Sequence, residues 1–339
     1  MGFADSLWSS VDLRNTDFTF FFPLFGLEVE GGDYIIEDAL ITKPTSLEWA
    51  DLERSDVADQ IYARGQEPPY FCIFQRNSEG RSQKMMELWS SVVEEFDSLL
   101  LALRLHKSGT LVDPYYSGRY AFSKELGIRS RMPGIYRQSV IGSTWESPFR
   151  LRKVDKQSVQ HLWELVRTYN SQIANPAGNI AMENFRACFG PQLLDRDRVV
   201  LLYVALEALF GGFRDRINKV SMWKRAAFAV GIDGRLDNSA QRFLKKKGRI
   251  LRNQVAHGSL EEPPLPYLEA IDRLREIVRR ALVRFLKFCV DQRNIPAKFG
   301  KKRGITHEGS LMMAFNEALA STAKGACMSE WNKHHKIMR

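Results

Sequence analysis

A run of twelve residues, Val199-Val200-Leu201-Leu202-Tyr203-Val204-Ala205-Leu206-Glu207-Ala208-Leu209-Phe210, carries one charge, at Glu207, and ends at Gly211-Gly212. Wound as an α-helix, it is apolar around most of its circumference instead of along one stripe. Such a helix is stable in water only when other elements cover it on several sides. It also falls well short of the ~20 apolar residues that cross a bilayer. The run therefore predicts the central helix of a bundle. Helical patterns on its C-terminal side provide the cover: residues 217–230, closed by Gly231, a stretch through Phe243 to His257, and residues 268–289, with short connections between them.

The third of these helices ends in Arg252-Asn253-Gln254-Val255-Ala256-His257, followed by Gly258 as a stop signal. In the last turn the negative end of the helix dipole favours a protonated imidazole at His257. At 100° per residue Asn253 and His257 share a face, while Arg252 lies about 140° from His257 and needs its length to reach the same point. A guanidinium binds phosphate oxygens with two parallel hydrogen bonds and opposes negative charge growing on phosphorus. An imidazole moves protons near neutral pH, and an amide orients its neighbours. The set fits phosphodiester cleavage and requires no metal ligands. Lys245-Lys246-Lys247-Gly248-Arg249, just upstream, can guide an RNA backbone toward it through Lys245, Lys246, Lys247 and Arg249. Glu207, a carboxylate on an apolar helix, needs a partner, and an ion pair with Arg252 or another basic residue would supply it.

Taken together, Ala205-Leu206-Glu207-Ala208-Leu209-Phe210 and Arg252-Asn253-Gln254-Val255-Ala256-His257-Gly258 resemble the HEPN superfamily, in its Apea-like branch. The similarity spans about residues 159–288 and leaves out the first half. It implies an all-α HEPN bundle and a metal-independent endoribonuclease without cofactors, in which the RNA 2′-hydroxyl attacks its own phosphate and leaves a 2′,3′-cyclic phosphate. By the same resemblance Arg252 stabilises the phosphate, Asn253 positions groups and His257 shuttles protons; Glu207, if it is Arg252 that it pairs with, would orient the site from behind. HEPN sites are completed by two motifs facing across a cleft, so a chain with one copy implies a homodimer through the bundle. The resemblance also implies a role in bacterial anti-phage defence or as a toxin. Because the superfamily includes non-catalytic members, the alternative is a scaffold that binds RNA or protein.

Charge separates the two halves. Residues 1–150 hold 15 Lys/Arg against 22 Asp/Glu, a net of −7, and the remainder holds 34 against 18, a net of +16. The acidic half reads as a different domain, with strand-like segments at 18–22, 26–29, 34–41 and 69–74. A helix at 82–106 follows, with Met85, Leu88, Trp89, Val92, Val93, Phe96 and Leu99 on one face. Residues 108–148, rich in Gly, Pro and Ser, read as short strands or an extended connection. The fold class expected is α+β: a mixed domain over 1–150, a helical bundle over 151–292, and a basic extension over 293–339 with a short helix at 310–323. The first domain would sense a phage-derived or cellular trigger and restrain the second. Cys72, Cys188, Cys289 and Cys327 have no paired spacing, and residues 1–8 lack a leader pattern, so a soluble cytoplasmic protein is expected. Phosphate-loop, nucleophile-elbow and metalloprotease motifs are absent from the sequence.

Overall fold

The computed structural model describes residues 16–43, 70–77, 85–109, 111, 120–123, 128–131, 148–173, 175–190, 193–211, 221–232, 235–257, 266–292, 312, 314–316 and 318–319. The chain divides into two compact units, Met1–Trp163 and Glu164–Arg339. Helices and an antiparallel sheet coexist, so the fold is mixed α+β.

The first unit is built on a six-stranded antiparallel sheet. Its strands are β1 (Asp17–Leu24), β3 (Tyr34–Ile36), β4 (Ala39–Thr42), β5 (Tyr70–Asn77), β6 (Tyr120–Ser123) and β7 (Ile128–Arg131), in the order β3-β4-β5-β1-β6-β7. β1 is interior, and side chains alternate across a strand, so both of its faces need cover. Phe20 and Phe22 meet α1 (Met85–His106): Trp89 lies edge-on to them at 5.0 and 6.2 Å between centroids, and Phe96 stacks on Phe22 at 4.3 Å. On the other face Phe21 joins Phe71, Ile73 and the partly buried Leu40. Two covered faces explain why Phe20-Phe21-Phe22 is a continuous apolar run rather than an alternating one.

One sequence reading changes here, and for 108–148 the short-strand alternative is the one seen. The segment read as one strand over 34–41 is a hairpin, with Ile36 opposite Ala39 and Glu37 at φ 49° in the two-residue turn. Such turns need positive φ and normally announce themselves by Gly or Asn, which this one lacks. Within 108–148, β6 and β7 form a four-residue ladder at the sheet edge. A separate parallel pair joins β2 (Leu27–Val29) to β8 (Phe149–Leu151), with Arg150 Nε 2.8 Å from Glu28 Oε2.

After β8 a 3₁₀ turn, Lys153–Asp155, leads into α2 (Lys156–Gln172), and Asp155 ties that turn to the end of α1. It is buried, its Oδ2 accepts from Lys107 Nζ at 2.5 Å and from the Arg152 amide at 2.9 Å, and His106 Nε2 lies 3.2 Å from Oδ1. Burial pushes this carboxyl up, but the hydrogen bonds from Lys107, Arg152 and His106 outweigh it and hold the group well below the usual carboxylate range. A depressed carboxyl stabilises the fold above its unfolded value of about 3.9, and the contribution drains away as pH falls below that. Asp155→Asn is therefore expected to cost about 1–3 kcal/mol at neutral pH and less in acid. Urea unfolding at both pH values reads this; an equal cost at both would show that the charge is irrelevant.

The second unit is helical. Beyond the end of α2 come α3 (Pro176–Ala187), α4 (Asp195–Phe210), α5 (Met222–Ala229), α6 (Asn238–Phe243), a π-helical turn (Leu244–Gly248), α7 (Arg249–His257) and α8 (Tyr267–Gln292). Local chemistry starts three of them. Asn175 accepts from the amides of Ala177 and Gly178 ahead of Pro176, Ser221 caps α5, and Asp237 caps α6. The apolar run lies in α4, which packs against α3, α5, α7 and α8. Cover on that many sides is what its apolar circumference requires.

The C-terminal end of α4 is held by a buried cation. Arg225 Nη2 donates to Phe210 O, Arg225 Nε donates to Asn316 Oδ1 at 2.8 Å, and Asn316 Nδ2 donates to Leu209 O at 3.0 Å. A guanidinium at a helix C-terminus faces the negative end of the dipole. Phe315 packs on Phe210, Phe285 and Phe288 at 6.0, 5.4 and 5.3 Å between centroids. Met312, Phe315 and Leu319, from the stretch 310–323 that reads from sequence as a short helix in an extension, thus belong to the bundle core. Among the described residues no helix is long and apolar enough to cross a membrane.

Candidate functional site

The contact between α4 and α7 brings together two pairs with the same spacing. Tyr203 and Glu207 are four apart on α4, and Gly248 and Arg252 are four apart on the facing helix. Residues four apart share a helix face. Tyr203 stands over Gly248 and Glu207 meets Arg252, so the two helices run in the same sense at this contact.

Gly248 makes the approach possible. A Cβ at this position would lie 2.1 Å from Tyr203 Oη, inside van der Waals contact. Tyr203 is buried, packs edge-on to Trp223 at 6.2 Å, and its hydroxyl has no hydrogen-bond partner among the described residues. Burial pushes the phenol well above its ordinary range, with Arg252 opposing the shift and Glu207 adding to it. The π turn that delivers Gly248 keeps Leu244 and Gly248 inward while Lys245, Lys246 and Lys247 remain exposed. Wide turns of this kind are rare and concentrate at functional sites.

Arg252 Nη2 donates to Glu207 Oε1 at 3.0 Å, and Nη1 donates to Asn253 Oδ1 at 3.4 Å. The two ion-pair side chains are 41% and 40% exposed, so Glu207 is not the buried carboxylate that its apolar helix suggests. A pair this exposed adds no more than about 1 kcal/mol to stability. Its consequence is geometric: one edge of the guanidinium is held on a side chain that stays 41% exposed. Replacing the carboxylate in Glu207→Gln should leave the melting temperature nearly unchanged while freeing Arg252 to rotate. Thermal melts of the two proteins under the same conditions check the first of these.

The structure thus joins Arg252, Asn253 and Glu207. Asn253 is exposed, and His257 closes α7 one turn later, its side chain lying outside the described residues. The basic run does not act as one group. All four of its cations are exposed, but only Lys246 and Lys247 line a cleft, with Arg242 and Arg273, two cations the sequence reading did not single out. Arg242 had a local signal, because it stands four residues before Lys246. Arg273 had none, since it arrives from α8.

Comparison with protein-family models, with curated proteins and with solved structures finds no match for this chain.

Proposed function

We propose that the chain is a metal-independent endoribonuclease of the HEPN type, acting as a homodimer in anti-phage defence or as a toxin. The observation that supports it is the Arg252–Glu207 ion pair at 3.0 Å, which orients a half-exposed guanidinium beside Asn253 in the middle of α7, one turn before His257. In the reaction the 2′-oxygen bonds to phosphorus, the bond to the 5′-oxygen breaks, and negative charge builds on the non-bridging oxygens. Arg252 opposes that charge with its guanidinium. His257 takes the proton from the 2′-hydroxyl or returns one to the leaving 5′-oxygen, with its counterpart in the second protomer available for the other transfer. Asn253 positions the ribose or the imidazole. The acidic first unit holds the activity in check until a trigger binds it.

The experiment is cleavage of unmodified RNA by the full-length chain in the presence of a chelator, with the ends of the products identified by mass spectrometry. Products ending in 2′,3′-cyclic phosphate are expected. Products ending in 3′-hydroxyl, or activity abolished by the chelator, would defeat the proposal. One observation favours the second reading, a binding scaffold: Glu207 neutralises part of Arg252, as it would in a purely structural contact. RNA binding without any cleavage would decide for it.

A further inference from the structure

Ser239, Arg242, Phe243, Lys246 and Lys247 follow an i, i+3, i+4, i+7, i+8 spacing along α6 and the π turn, so they form one stripe on that helix. Phe243 is buried, and Ser239, Arg242, Lys246 and Lys247 are exposed around it. Here only Phe243 is apolar, and the rest border a cleft of about 290 Å³ closed on its far side by Arg273 of α8.

Arg273 is held in place before any ligand arrives. Its guanidinium lies 4.9 Å from the centroid of the Phe243 ring, and Nη2 donates to Ser239 Oγ at 2.9 Å. Asp272 pairs with Arg275 at 3.5 Å, Asp237 with Arg280 at 3.5 Å and Glu276 with Arg279 at 2.7 Å, while Glu269, four residues before Arg273 on α8, is exposed. Among the described residues no carboxylate pairs with Arg242, Lys246, Lys247 or Arg273. Four cations around one cleft repel one another, and an anion seated between them relieves that repulsion. The volume is at the small end of ligand sites, about 300 Å³, which suits one phosphate with its sugar.

We infer that this cleft is a phosphate subsite that holds an internucleotide phosphate of single-stranded RNA away from the point of cutting. The inference rests on the ribonuclease reading and adds to it the path of the substrate. A single strand can bend one phosphate into a pocket, which the regular rail of a duplex resists. Lys246 precedes Arg252 by six residues, and the stripe turns toward α8 while Arg252 turns toward α4. Strand held in the cleft is therefore presented to Arg252 from the side.

The test measures binding of a fluorescein-labelled 2′-O-methyl oligouridylate by anisotropy, with the full-length chain and salt varied from roughly 50 to 200 mM. The double variant Lys247→Gln/Arg273→Gln should bind about tenfold more weakly. Its plot of log affinity against log salt should be shallower by about 0.7, the share of one single-strand phosphate. Arg196→Gln, an exposed change in the first turn of α4, should alter neither. The single variant Lys246→Gln, at an exposed position, should move both readings in the same direction with less demand on folding. Affinity and slope equal to wild type in both cleft variants would overturn the inference. So would binding of uridine 5′-monophosphate that the double variant loses while its oligouridylate affinity stays unchanged, because the cleft would then belong to a free nucleotide. The probe has no free 2′-hydroxyl, so the result does not depend on cleavage. Failure of the ribonuclease reading would show separately, as normal probe binding with unmodified RNA left uncut.

Discussion

His257→Ala is expected to lower RNA cleavage by about 10²-fold or more, with Arg252→Ala lowering it by a similar factor. The two losses have different origins. Removing the imidazole removes proton transfer, so the His257 variant should also flatten the dependence of rate on pH between about 5 and 8, the range in which histidine alone titrates unperturbed. Removing the guanidinium removes charge stabilisation, so the Arg252 variant should keep the pH profile at a lower rate. Arg252→Lys keeps the charge but loses the planar fork that meets both Glu207 and a phosphate, and it should recover only part of the activity. Single-turnover rates on unmodified RNA, with circular dichroism as a check on folding, provide the measurement. A folded His257→Ala protein that cuts as fast as wild type would end the catalytic assignment.

Gly248→Ala should destabilise the helical unit by about 1–3 kcal/mol, the usual cost of overpacking. The new methyl would sit 2.1 Å from Tyr203 Oη, so either the tyrosine must swing out of its buried place against Trp223 or α7 must move away from α4. The second response carries Arg252 away from Glu207, so cleavage should fall with stability. Tyr203→Phe removes the offending oxygen, a buried hydroxyl with no partner among the described residues, so by itself it should be nearly neutral. Combined with Gly248→Ala it should recover much of the loss, because the nearest remaining ring atom is 3.4 Å from the new methyl. A double-mutant cycle in denaturant measures the coupling between the two positions. Strict additivity would mean that the helices do not meet at this point.

Much of the second unit was legible in the sequence, for local reasons. Helical periodicity needs only a window of neighbours, and the stretches read at 199–210 and 268–289 correspond to α4 and α8. The stretch read through Phe243 to His257 contains α6, the π turn and α7. The buried stripe of α1 was equally readable, with Leu88, Trp89, Val92, Phe96 and Leu99 all buried. Less was legible where the deciding contact is distant. Arg225 on an amphipathic helix looks like a solvated cation, yet it is buried on an asparagine 91 residues away. The three lysines at 245–247 look like one charged run, yet only two line the cleft, and the π turn that arranges them follows no simple residue pattern.

By itself the sequence determined that residues 199–210 need cover on several sides, that Asn253 and His257 fall on one helix face, and that the positive charge is concentrated after residue 150. These follow from periodicity and composition, which neighbouring residues set among themselves. Tertiary structure alone decided that Arg252 meets Glu207 across 45 residues of chain, that Gly248 is the position where Tyr203 can fit, and that Arg273 joins the cations of the 239–247 stripe. Those pairings depend on which helices pack and at what register. That is settled by the burial of apolar surface over the whole unit and not by the charged residues that the packing brings together.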